Sequence, residues 1–183
     1  MKKTILTFGL ISGAISSALM LSFIPFVDKI GFDKGMYLGY TAIILSFLMI
    51  FFGVRSYREN VGGGQITFTK AFTIGILITL ISCACYVITW QIAYFFFMPD
   101  FLDKYSAYMI EKMRAAGETQ QAIDATAKQM KDFKVMYSNP LFNAAITFTE
   151  PFPVGLVMTL ITAVILRKKR KPNSNNVSVP ATA

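Results

Sequence analysis

Glu150 is the one acid inside an apolar block of this 183-residue sequence. An ionisable group held in hydrocarbon is costly, and by default it marks an ion, proton or ligand site. As a carboxyl group it would either stay protonated or hold a cation. Other chemistry is sparse. Histidine is absent, which removes Ser-His-Asp and Cys-His nucleophiles, HExxH zinc sites and His-ligated haem. Cys83 and Cys85 lie two apart in an apolar run, about 200° apart on a helix, so they neither bridge nor chelate together and read as structural thiols. Gly62-Gly63-Gly64 has no GK[ST] or GxGxxG context and reads as a turn. No catalytic residue, metal or cofactor is expected, and the chain does not read as an enzyme.

What could surround Glu150 depends on the elements that carry it. The chain is 54% hydrophobic and only 15% charged, against about 25% charged in soluble domains. Its apolar residues fall in four blocks, at about 5–27, 36–54, 71–98 and 140–166, each long enough for a membrane crossing of roughly 30 Å. The first follows Lys2 and Lys3 but is too long for a signal-peptide core, and reads as a retained helix. Thr67 or Thr69 is placed to cap the third block, whose far end, Trp90 and Tyr94 to Phe97, suits an interfacial aromatic belt.

Residues 100–138 differ. Six basic and six acidic residues are interleaved there, with apolar stripes Leu102-Tyr105-Met109-Met113 and Ile123-Ala127-Met130-Phe133-Tyr137 on either side of Gly117. This pattern predicts two amphipathic helices joined by a turn, with apolar faces on each other or on the membrane surface. Asp100–Lys104 and Asp124–Lys128 are spaced as i,i+4 pairs. Methionines in and beside this segment suit adaptable packing or a partner groove more readily than Cu(I). The fold class is therefore all-α: an integral membrane four-helix bundle with an amphipathic hairpin between the third and fourth spans. Residues 1–171 form one domain, and 172–183 read as a disordered polar tail.

Lengths then give depths. Sixteen residues separate Glu150 from Leu166, about 24 Å of helix, in the outer part of the hydrocarbon. The same distance reaches the neighbourhood of Tyr86 and Gln91 on the third span and of Tyr40 on the second. These residues, with Glu150, are the candidate ion or ligand site. Pro151 and Pro153 would free carbonyls beside it. The alternative is structural: Glu150 hydrogen-bonds within the fold, or caps a helix restarting at Pro151.

The net charge of +8 has a membrane explanation. Arg55, Arg58 and Lys70 border one loop, and Arg167, Lys168, Lys169, Arg170 and Lys171 abut the last span. These cations read as topology and anionic-lipid anchors rather than a nucleic-acid surface. Lys and Arg total 10 on the side of the termini and 8 on the other, so the contiguous run decides the orientation: both termini cytoplasmic, in a bacterial inner membrane. Small residues recur every fourth position at Gly9-Gly13-Ser17 and Gly31-Gly35-Gly39, a pattern of close helix packing within the chain or in a homodimer.

Two stretches also carry a resemblance. Arg55-x-Tyr57-Arg58-Glu59 with Gly62-Gly63-Gly64-x-Ile66-Thr67-Phe68-x-Lys70-Ala71-Phe72, and Asn139-Pro140 with Thr147-Phe148-x-Glu150-x-x-Pro153-Val154-Gly155-Leu156, resemble a family of bacterial membrane proteins, mainly of Bacteroidota, known as domain of unknown function 4199. The resemblance runs over roughly residues 4–171. It implies a four-span membrane protein with a long segment before the last helix, and it places Arg55, Arg58, Lys70 and Glu150 on motif positions. It implies no activity. The function expected is that of a non-enzymatic membrane component acting through a protein partner or a second copy; the alternative is a small ion- or proton-coupled transporter or channel using Glu150.

Overall fold

The computed structural model describes residues 1–168, apart from the side chains of residues 27 and 28. Four long apolar helical segments, Lys2–Phe26, Phe32–Asn60, Phe68–Phe97 and Pro140–Leu166, meet the length and hydropathy of membrane spans. The protein is an all-α membrane bundle.

Helix α1 (Lys2–Phe23) runs through a short 3-10 turn (Ile24–Phe26) and α2 (Val27–Ile30) into α3 (Phe32–Asn60). A glycine-rich turn leads to α4 (Phe68–Ile92), where Thr67 accepts from the Lys70 N–H as the N-cap. Helix α4 ends in a π-helical turn, Ala93–Phe97. The hairpin follows: α5 (Phe101–Ala115) and α6 (Gln120–Tyr137). Gly117, at φ 76°, supplies the left-handed residue that reverses the chain. The last span is two helices, α7 (Pro140–Phe148) and α8 (Pro151–Leu166). Asn139 caps α7 by accepting from the Leu141 N–H at 2.9 Å, and Pro140 follows in the first turn, where its missing N–H costs nothing.

Lipid gives helices no hydrophobic reason to associate, so contact depends on close packing and polar links. Both are present. A β-carbon added at Gly13 would lie 2.6 Å from Cys85 Cβ, and one at Gly9 would lie 2.8 Å from Ile81 Cβ. Thus the α1 stripe is spent on α4, within the chain. Ser12 Oγ donates to the Ser46 carbonyl (2.9 Å) and pairs with Ser82 Oγ (2.9 Å), which links α1, α3 and α4. Ser17 meets Thr89 at 2.8 Å, and Thr79 meets Thr159 at 3.1 Å where Gly75 and Gly155 bring α4 against α8. The second glycine stripe behaves otherwise. Nothing lies within 4 Å of a β-carbon added at Gly31, Gly35 or Gly39, so no helix approaches there. The spacing predicts close packing within the chain or in a homodimer; within the chain this stripe is unpacked.

At the end carrying Lys2, Ile66 and Lys168 exchange backbone hydrogen bonds (3.2 and 2.9 Å), and Arg58 Nη1 donates to the Leu166 carbonyl at 3.4 Å. This pins the glycine-rich turn to the end of α8. At the opposite end the hairpin docks on the bundle. Leu102 and Tyr137 join Tyr94 in a buried cluster with Trp90, Phe101, Phe133, Phe142 and Ile146. Asp103 and Lys134 tie α5 to α6 at 2.5 Å. The Asp100–Lys104 pair forms at 3.2 Å, whereas Asp124 accepts from Gln120 at 2.8 Å.

Candidate functional site

The site is built from the break in the last span. The helix is interrupted between Phe148 and Pro151, because proline has no N–H to donate back. The expected free carbonyl at Thr147 is not free: the Thr149 and Glu150 N–H groups both take it. Glu150 occupies the N-cap position of α8, but its side chain makes no capping bond. Instead Tyr86 donates its hydroxyl to Glu150 Oε2 at 3.1 Å. Of the alternatives left open by the sequence, capping is therefore not the one taken.

Glu150 and Tyr86 face a cavity of about 610 Å³. It lies in the hairpin-side half of the bundle. Met20 and Phe23 of α1 form one wall, and Gly31 with Gly35, Met36, Gly39 and Tyr40 of α3 another. Helix α5 supplies the roof with Leu102, Tyr105 and Met109, and Trp90 and Tyr137 close the side. The bare glycine stripe is what keeps the α3 wall flat: any larger residue at Gly35 or Gly39 would project into the space. Four methionines, Met20, Met36, Met98 and Met109, line it. Their unbranched thioethers adapt to a bound shape at low cost.

Two polar arrangements frame the cavity. Trp90 Nε1 donates to Tyr137 Oη at 2.8 Å; Tyr137 meets Thr147 Oγ1 at 3.2 Å, and Thr147 donates to Asn143 Oδ1 at 3.3 Å. The Asn143 amide nitrogen is the one buried side-chain N or O atom without a partner among the described residues. At the rim, Lys112 Nζ on α5 reaches Asp33 at 2.9 Å across to α3, and Phe32 sits among Phe101, Tyr105 and Tyr108 with ring centroids 5.8, 5.2 and 5.1 Å away. Hydrogen bonding to Asp33 raises the Lys112 pKa above the ordinary lysine value. Both side chains remain more than half exposed, so the pair orients the roof more than it stabilises it.

Of the four predicted site residues, three line the cavity: Glu150, Tyr86 and Tyr40. Gln91 does not. Its amide donates to the Pro140 carbonyl at 2.7 Å, stitching α4 to the start of α7. Five residues beyond Tyr86, it points about 140° round the helix. The predicted anchors lie at the far end. Arg55, Lys70, Arg167 and Lys168 are exposed there, and Arg58 also pairs with Glu59. Lys169, Arg170, Lys171 and the 172–183 tail lie outside the described residues. Sequence reasoning missed Trp90, Met109 and the glycine wall as cavity residues. Their spacing had been visible, but the cavity exists only because α5 folds back over α3.

The family model described as protein of unknown function (DUF4199) matches residues 7–168, and the chain belongs to that family. Neither a curated protein nor a solved structure matches the chain.

Proposed function

We propose that this DUF4199 member is a non-enzymatic component of the bacterial inner membrane whose work is binding, with both termini cytoplasmic. The cavity under the hairpin takes a ligand, and the outer face of the hairpin meets a partner protein. The observation that carries this reading is the roofed cavity of about 610 Å³, well within the range of small-molecule sites, with mostly apolar walls and a few convergent polar groups. A roof tied to the bundle by one ion pair and a cluster of rings can report occupancy to whatever rests on it. Val135 and Met136, 72% and 49% exposed on α6, are the apolar residues offered to that partner. The cations Arg55, Arg58, Lys70, Arg167 and Lys168 suit anionic lipid on the cytoplasmic side.

In-cell crosslinking from positions 135 and 136 tests the partner half of the reading. A second protein should be recovered with the chain, and substitutions at the hairpin should abolish its recovery. Recovery of the chain alone would contradict it. Ion- or proton-coupled transport is the second reading, favoured by the helix break at Glu150. It requires flux in proteoliposomes that Glu150→Gln abolishes.

A further inference from the structure

We propose that the ligand of the cavity is a hydrophobic amine: an ammonium group seated on Glu150, with an aliphatic or aromatic body lying along the glycine wall beneath α5. This deepens the binding reading above and rests on it. The charges of the cavity carry the inference. Asp33 and Lys112 at the rim neutralise each other. Glu150 has no such partner: Tyr86 is its one hydrogen-bond donor among the described residues, and that donor is neutral. A carboxylate in apolar surroundings without a countercharge is unfavourable. A bound ammonium supplies the countercharge and three donors, in a charge-assisted pair that is stronger than a neutral hydrogen bond. Tyr40 and Tyr86 border the same space, and aromatic rings attract a cation.

The walls argue against a bare divalent ion and against an anion. A bare calcium or magnesium ion takes about six oxygen ligands, whereas one carboxylate and three phenols, those of Tyr40, Tyr86 and Tyr137, are the polar side chains near this spot. An anionic amphiphile would meet Glu150 with like charge. The remaining walls are apolar and flexible, Met20, Met36, Met98 and Met109 among them. They require an apolar body and set little restriction on its shape.

Trp90, the only tryptophan in the chain, lines the cavity and gives a direct readout. The full chain in a neutral maltoside detergent is titrated with decylammonium, decanol and decyl sulfate, and Trp90 emission is followed. Saturable binding of decylammonium about tenfold or more tighter than decanol is expected, with decyl sulfate the weakest. Glu150→Gln should erase the preference for the amine while decanol still binds saturably, which also shows that the variant is folded. Tyr86→Phe should retain the preference in part. Equal affinities for decylammonium and decanol in the unsubstituted chain would overturn the amine assignment while leaving the cavity as a binding site. A preference that survives Glu150→Gln would overturn it as well. No saturable response to any of the three compounds would overturn the amine assignment and the binding reading together.

Discussion

Tyr86 and Glu150, 64 positions apart in the sequence, meet in a hydrogen bond of 3.1 Å at the point where the last span breaks. The bond fixes the direction of the carboxylate. It holds Oε2 toward α4, beside the cavity, rather than on the Phe152 N–H, the one donor that Pro151-Phe152-Pro153 offers at the start of α8. Removing the Tyr86 hydroxyl, in Tyr86→Phe, should free Glu150 to turn and cap α8. Any ligand that depends on Glu150 should then bind several-fold more weakly, with stability changed by about 1 kcal/mol or less. Titration of Trp90 emission together with thermal unfolding separates the two effects.

The two glycine stripes should respond in opposite ways. Gly13→Leu drives a side chain into Cys85, and overpacking of this kind costs about 1–3 kcal/mol or more. A β-carbon at Gly35 meets nothing within 4 Å, and Gly35→Leu should unfold within about 1 kcal/mol of the unsubstituted chain. Thermal unfolding in detergent measures both.

Tyr137→Phe removes the acceptor of the Trp90 indole N–H. Loss of a hydrogen bond inside the bundle should cost about 1 kcal/mol. The indole, left without its partner, should emit at shorter wavelength.

The Asp33–Lys112 pair should set how tightly the roof closes. Lys112→Ala should raise the access of acrylamide to Trp90, and the exchange Asp33→Lys with Lys112→Asp should restore it. Because the Lys112 pKa is raised by Asp33, the contribution of the pair is complete below the ordinary lysine pKa. It is lost only as pH rises through the higher value in the folded protein. Acrylamide access should therefore stay level between about pH 7 and about pH 9 and rise in stronger alkali.

Helix length explains why part of this site could be read from the sequence. Counting 1.5 Å per residue from Leu166 places Glu150 level with Tyr86 and Tyr40, and all three line one cavity. Length carries no rotation, and Gln91, near the right depth, points elsewhere. Spacing alone also left the two glycine stripes indistinguishable. One is pressed against α4 and the other faces empty space, a difference set by which helix lies opposite and not by spacing. The hairpin itself was legible, because its apolar stripes keep helical period on both sides of Gly117. Its seat on Tyr94, Phe142 and Ile146 was not, since amphipathic helices of this kind could equally lie on lipid.

Narrowing the cavity beneath α5 distinguishes a binding site from an empty gap between helices. A brominated decyl alcohol should quench Trp90 saturably in the unsubstituted chain. In Gly35→Leu and Gly39→Leu, which add side chains to the α3 wall of the cavity, the saturable quenching should weaken. Quenching that is linear in the unsubstituted chain, or that persists unchanged in both variants, would contradict the account.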